Sequence, residues 1–237
     1  MSPDDQLRKN IAGIEERIAA ACARVGRSSD TVRLIAVTKY AEPAWVRGLL
    51  RLGLNTLGES RPQQLVERAD QLEGEIEWHL IGHLQRNKVR SVLPSVSLIH
   101  SVDSAALLER IDRISGELGL VANVLLQVNV SGESSKAGFA PAELEREYAQ
   151  FIGLEHVELS GLMTMAPLSD DPESARPTFR GLRELRGRLL ETVSAGPALE
   201  ELSMGMSHDF EVAIEEGATS IRIGSLLYEG LASSDEN

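Results

Sequence analysis

The chain has 237 residues, 42% of them hydrophobic and 25% charged, with a formal net charge of −12. That length suits one α/β barrel or two small domains, and the apolar share is enough for a substantial core. The acidic balance excludes a general nucleic-acid binder, whose affinity comes from neutralising phosphates, but leaves room for a local basic pocket.

Cys22 is the single cysteine, so there is no disulfide framework and no thiolate metal cluster. It lies beside an apolar helix face and reads as a small core residue. The opening Met1-Ser2-Pro3-Asp4-Asp5 is unlike a secretory leader, and no apolar run reaches membrane-spanning length. The expectation is a reduced, cytoplasmic protein away from the membrane.

Ser2 and Pro3 start a helix and Gly26 stops it, with Leu7, Ile11, Ile14, Ile18, Ala21 and Val25 along one face. Eight strand-like runs follow: Arg33–Lys39, Asn55–Gly58, Ile76–Ile81, Leu98–Val102, Asn123–Val130, Glu158–Met165, Glu200–Met204 and Ser220–Leu227. Several are continuously apolar, as expected of strands covered on both faces. Helical stripes alternate with them. Leu107, Leu108, Ile111, Ile114 and Leu118 form one that ends at Gly119; Phe179, Leu182, Leu185, Leu189 and Val193 form another. Pro141 and Pro177 mark helix starts, and Asp170-Asp171-Pro172-Glu173 reads as a helix N-terminal signal. The rhythm predicts an α/β fold, a single (β/α)₈ TIM barrel over residues 1–231 with an extra N-terminal helix and a short polar tail, 232–237. A dinucleotide fold is disfavoured, because no Gly-x-Gly-x-x-Gly turn follows the first strand.

In such a barrel the carboxyl ends of the strands converge on one mouth. Lys39 ends the first strand, where a partly shielded amine can attack an aldehyde and form a Schiff base; a solvated surface lysine is the ordinary alternative. Glu59 and Ser60 follow the second strand, His79 and Gly82 the third, Asn129 the fifth, and Met163 and Met165 the sixth. Gly205, Met206 and Ser207 after the seventh strand, with Gly224 and Ser225 after the eighth, stand where barrels often cradle phosphate. A plain turn with a helix cap is the alternative for either pair alone. An aldehyde that also bears a phosphate suits both ends of this site: pyridoxal 5′-phosphate, or a phosphorylated sugar in a Schiff-base aldolase. Arg222 separates them, since a guanidinium facing a pyridine nitrogen donates a hydrogen bond and leaves the ring unprotonated; a structural arginine paired with a carboxylate is the alternative.

The other polar residues have ordinary readings beside functional ones. His79 and His83 are four apart, but they straddle a strand end and lack a carboxylate partner for metal, so His79 is expected to support the site by hydrogen bonding. Arg86, Lys88 and Arg90 read as a solvated helix face. Lys136 is a second lysine near the mouth, either a surface residue or a transient acceptor of cofactor. Tyr40 and Tyr228 read as packing residues.

Several blocks together resemble the pyridoxal-phosphate homeostasis proteins, the YggS/PROSC family. They are Ala36-Val37-Thr38-Lys39, His79-Leu80-Ile81-Gly82-His83-Leu84-Gln85-Arg86-Asn87-Lys88, Gly161-Leu162-Met163-Thr164-Met165-Ala166, Met204-Gly205-Met206-Ser207 and Ile221-Arg222-Ile223-Gly224-Ser225. The resemblance implies a barrel like the N-terminal domain of alanine racemase. It implies pyridoxal phosphate as a Schiff base on Lys39, Arg222 at the pyridine nitrogen, and the phosphate on Ser207, Gly224 and Ser225, with Met206, Met165, His79 and Ser60 nearby. Ser60 departs from the family's usual Gly-Glu-Asn, having shorter reach than an amide. The implied role is a cofactor carrier and regulator without turnover, possessing no racemase-type second domain, favoured as a monomer, whose partners are the cofactor and pyridoxal-phosphate-dependent apo-enzymes. The competing functions are a small racemase-type enzyme, a sugar-phosphate aldolase, and an inert barrel serving as an interaction protein.

Overall fold

The computed structural model describes residues 2–133, 136–193 and 196–231, so the expected tail at 232–237 lies outside the described residues. Ser2 caps α1 (Pro3–Arg24) by accepting from the Asp5 amide, and Pro3 stands in the first turn, where an amide would have no helical partner. Leu7, Ile14, Ile18, Ala21 and Cys22 are buried along its inner face.

Eight strands follow: β1 (Arg33–Val37), β2 (Thr56–Glu59), β3 (Glu77–Leu80), β4 (Leu98–Val102), β5 (Ala122–Gln127), β6 (Val157–Met163), β7 (Glu201–Met206) and β8 (Ser220–Ile223). Between them run α2 (Pro43–Arg51), α3 (Pro62–Gln71), α4 (Val89–Val92), α5 (Ala105–Leu118), α6 (Pro141–Phe151), α7 (Arg176–Thr192) and α8 (Phe210–Glu215). Each strand pairs in parallel with the next, and β1 pairs with β8, which closes the barrel. The helical stripes expected on α5 and α7 are buried except at their last members, Leu118 and Val193, which are half-buried, and Asp171 caps the 3₁₀ turn Pro172–Ala175 that leads into α7.

Among the described residues β8 is followed by a 3₁₀ turn, Ser225–Tyr228, and α1 packs against that turn, α8 and α2. The N-terminal helix thus stands where a helix after β8 would complete the ring. Asn10 fastens it by donating from Nδ2 to the Leu227 and Glu229 carbonyls, both at 2.9 Å.

Strand alternation sorts the residues between two cores. Leu34 and Ala36 of β1, Leu202 and Met204 of β7, and Ile221 and Ile223 of β8 join the apolar layer shared with the helices. Leu98, Leu125 and Met163 form a separate small apolar cluster. Beside it, a hydrogen bond joins His100 of β4 to Ser203 of β7. These strands are not neighbours, so the bond crosses the barrel interior. Barrel interiors of this fold are usually filled by Val, Ile and Leu, and this one carries a polar column instead.

Only β4 ends where expected: β1 stops at Val37, not Lys39, β6 at Met163, not Met165, and β2 and β3 end one residue off, at Glu59 and Leu80. β8 stops at Ile223, not Leu227, because Gly224 (φ −119°, ψ −79°) turns the chain into the 3₁₀ turn. β7 extends beyond Met204 to Met206. β5 ends at Gln127, not Val130, and the Phe139 backbone takes up the next partners, donating to Gln127 O at 2.8 Å and accepting from Asn129 N at 3.0 Å. Among the described residues, no helix is long and apolar enough to cross a membrane.

Candidate functional site

Lys39 follows β1 in a loop held from both sides. The Thr38 hydroxyl donates to Glu59 Oε2 at 3.1 Å, and the Thr38 amide donates to Gly58 O at 2.9 Å. Glu59 is fully buried, and its Oε1 accepts from the Ser60 amide at 2.8 Å. Arg68 of α3 donates to the Thr38 and Ala41 carbonyls at 2.8 and 2.9 Å and lies 3.5 Å from Glu59 Oε2. Both sides of Lys39 are therefore gripped by one buried ion pair.

The lysine itself is exposed, where shielding was expected. Its Nζ sits 5.1 Å from the Tyr40 ring centroid, and Arg61 stacks on the same ring at 5.7 Å. Tyr40 is 75% exposed and so is a rim residue, which corrects the packing role expected of it. Tyr228 does pack, stacking on Trp45 at 5.7 Å.

The loops after β7 and β8 meet. Ser207 Oγ accepts from the Gly224 amide at 3.2 Å, and Asp209 accepts from the Met206 amide at 2.6 Å. Gly205 has φ +93°, and a Cβ there would stand 2.6 Å from Ala213 Cβ, so only glycine fits. Met206 and Ser207 are half-buried, and Ser225 is exposed just beyond Gly224. Since the Met206 amide is occupied by Asp209 and the Gly224 amide by Ser207, the donors left for a phosphate centre on the hydroxyl of Ser207 and on Ser225, with the Gly224 amide available only by exchanging its bond to Ser207.

Arg222 lies on β8 in register with Ile35, four residues before Lys39. It is 4% exposed, donating to Ser203 Oγ at 2.5 Å and Thr164 O at 3.0 Å. No carboxylate pairs with it among the described residues, and burial pushes its guanidinium down to about 10. Buried arginines ordinarily carry an acidic partner. A cation held without one, between neutral acceptors, suits a ligand atom that bears a lone pair.

Other expected residues divide. Ser60 is half-buried at the mouth, where Gly82 touches its backbone so closely that a Cβ on Gly82 would overlap Ser60 O. Met165 is on the rim, and its carbonyl accepts from Lys136 Nζ at 3.5 Å. His79 is not at the mouth. It lies within β3, two residues short of the Ile81–Gly82 loop, bonds to His100 at 3.0 Å, and lines a cleft at the opposite, N-terminal end of the barrel. His83 pairs with Asp103 on the surface, so the two histidines serve different places. Arg68, Thr164, Ser203 and His100 were missed. For the last two, a polar residue amid an apolar strand run was the available signal.

The chain matches the family described as alanine racemase, N-terminal domain, over residues 6–232. It is 42% identical to the pyridoxal phosphate homeostasis protein of Aquifex aeolicus over 93% of this chain and 96% of that one. With the protein of that name from Pseudomonas aeruginosa the identity is 39%, over 94% of each chain. Among solved structures, PipY of Synechococcus elongatus with pyridoxal phosphate bound superposes with a TM-score of 0.79 at 38% identity, covering 91% of this chain and 99% of PipY. Alanine racemase of Clostridium difficile shares the fold at a TM-score of 0.74 and 19% identity, with 98% of this chain on 58% of that one. The barrel and its relatives agree: the chain belongs to the pyridoxal phosphate homeostasis proteins, built on the alanine racemase N-terminal domain.

Proposed function

We propose that this protein binds pyridoxal 5′-phosphate on Lys39 as a Schiff base and serves intracellular supply of that cofactor, holding and releasing it without committed turnover. The observation that carries the reading is the buried, carboxylate-free guanidinium of Arg222 on the strand beside Lys39's, with the Ser207–Gly224 junction beyond it. The residues fit the group. When bound, it supplies an aldehyde that condenses reversibly with a primary amine. Ser207, Gly224 and Ser225 would hold its phosphate.

The chain's own groups favour holding over transformation. Arg222 keeps its protons, so it donates to a ring nitrogen without protonating it and leaves the ring a weak electron sink. Exposure of Lys39 gives an incoming amine, from a recipient enzyme or a free amino acid, access to the bond. Among the described tyrosines, Tyr148 and Tyr228 have hydroxyls buried without partners, and Tyr40 stacks beside Lys39 itself. Among the described residues, then, no tyrosine is placed as a racemase-type acid/base group opposite the lysine.

The test is borohydride reduction of the protein loaded with pyridoxal phosphate, followed by peptide mass mapping, alongside Lys39→Ala. The expected result is a reduced adduct on Lys39 that is wholly absent from the variant. Label confined to other lysines would overturn the assignment. Deuterium exchange at the α-carbon of a panel of amino acids checks the second half: sustained exchange dependent on Lys39 would return the racemase reading.

A further inference from the structure

The polar column inside the barrel has no part in the site as described, yet it ends on Arg222. Four side chains from four strands form it: His79 (β3), His100 (β4), Ser203 (β7) and Arg222 (β8), all buried. Arg222 Nη1 meets Ser203 Oγ at 2.5 Å, Ser203 Oγ meets His100 Nδ1 at 2.8 Å, and His100 Nε2 meets His79 Nδ1 at 3.0 Å.

The direction of each bond follows once the Ser203 hydroxyl proton is placed, because Ser203 Oγ has no partner but Arg222 and His100 among the described residues. A guanidinium only donates, so Ser203 Oγ accepts from Arg222. The single hydroxyl proton of Ser203 then goes to His100, making His100 Nδ1 the acceptor. A neutral His100 with an accepting Nδ1 carries its proton on Nε2, which donates to His79 Nδ1. His79 in turn carries its proton on Nε2, which has no protein partner among the described residues and borders the N-terminal cleft. Both imidazoles are neutral in this arrangement. A charged His100 would stand one hydroxyl away from a guanidinium that has no carboxylate partner, and burial opposes the same charge.

We propose that His100 and His79 are positioning residues for the cofactor site: a one-way chain of neutral Nε2–H imidazoles that, through Ser203, sets the orientation Arg222 presents to the pyridine nitrogen. Ser203 and the Thr164 carbonyl take one donor from each terminal nitrogen of the guanidinium, and a planar group held at two corners cannot rotate. Loss of His100 leaves the Ser203 proton without its acceptor, and the hydroxyl can then turn away from Arg222. The inference rests on the cofactor reading above for its ligand, but the direction of the chain does not.

The experiment has two arms. In the first, nitrogen-15 spectra of the histidine side chains are recorded in the full-length protein without cofactor. Both residues are expected as neutral Nε2–H tautomers at neutral pH. An Nδ1–H or charged His100 would overturn the chain whatever ligand the site takes. In the second, His100→Leu and His100→Gln are titrated with pyridoxal phosphate and with its 1-deaza analogue, which lacks the ring nitrogen. Glutamine can accept from Ser203 and donate to His79; leucine can do neither. His100→Leu is expected to bind pyridoxal phosphate about tenfold more weakly, the worth of one hydrogen bond to a charged group. Affinity for the deaza analogue should be unchanged, and His100→Gln should recover most of the loss. Equal losses for both ligands would mean general damage to the barrel and would overturn the positioning role. Failure of the unaltered protein to bind pyridoxal phosphate would instead sink the cofactor reading, and the tautomers would still decide the chain.

Discussion

The two ends of this barrel differ in a way that volume alone would misrepresent. A cleft of about 520 Å³ opens at the N-terminal end, among Arg33, Glu77, His79, Asn123, Glu158 and Glu201. Its polar groups largely answer one another: Arg33 lies 3.8 Å from Glu77, and Glu201 Oε2 accepts from Thr219 and Ser220 at 2.8 and 2.7 Å. At the C-terminal end the loops are knitted to each other, while the buried Arg222 and the exposed Lys39 have no ion-pair partner among the described residues. Space accompanies satisfied charge at one end, and held but uncommitted donors stand at the other, where the cofactor site is proposed.

That contrast can be broken by substitution. The largest effect is expected at Glu59. Removing its carboxylate in Glu59→Ala strands Arg68, frees the Ser60 amide and loosens both flanks of Lys39, costing about 3–5 kcal/mol in urea unfolding, as for other buried pairs that lose one partner. A loss below about 1 kcal/mol would mean the ion pair does not hold the Lys39 loop.

A pH titration tests the column that joins the two ends. Burial, with Arg33 nearby, lowers His79 from 6.5 to about 4, against weaker opposition from Glu77 and Glu201. The unfolded chain therefore binds the extra proton first, so stability is full above pH 6.5 and falls as the pH drops towards 4. The shift corresponds to about 3 kcal/mol. Unfolding midpoints that do not move between pH 7 and pH 4.5 in the unaltered protein, or that move equally in His79→Gln, would contradict this.

The smallest effect is expected at the cleft. Glu77→Gln removes a partly exposed pair with Arg33 and should change stability by less than about 1 kcal/mol. Cofactor affinity should not change at all. A large loss of affinity there would erase the distinction between the ends.

Much of the architecture was legible in the sequence because parallel strands covered on both faces read as apolar runs, and their helices as stripes. The places of Lys39, Ser207 and Gly224 beyond strand ends, and of Arg222 within β8, were legible from the same runs. His79 was misplaced because a strand-end reading does not say which way an inward side chain leans in a tilted barrel. Arg68 looked like any arginine on an amphipathic helix, and only the folded chain shows its guanidinium spanning two carbonyls of the Lys39 loop. His100 sits inside Leu98–Val102, a run whose apolar majority hid the one residue that reaches across the barrel. The seam between α1 and the turn after β8 brings together residues 217 apart, Asn10 and Leu227, and no local pattern carries it.

That seam has a consequence for how the protein is made. β1 waits for β8, and much of the apolar face of α1 waits for α8 and the turn after β8, so residues made well before that end of the barrel complete their contacts late. Such long-range closure is slow and leaves Leu7, Ile14 and Ile18 open to chaperones or to other nascent chains meanwhile. A chain halted at residue 219, before β8, should be cut by protease within α1 where the full-length protein is resistant. Equal resistance would mean that the helix docks before the ring is complete.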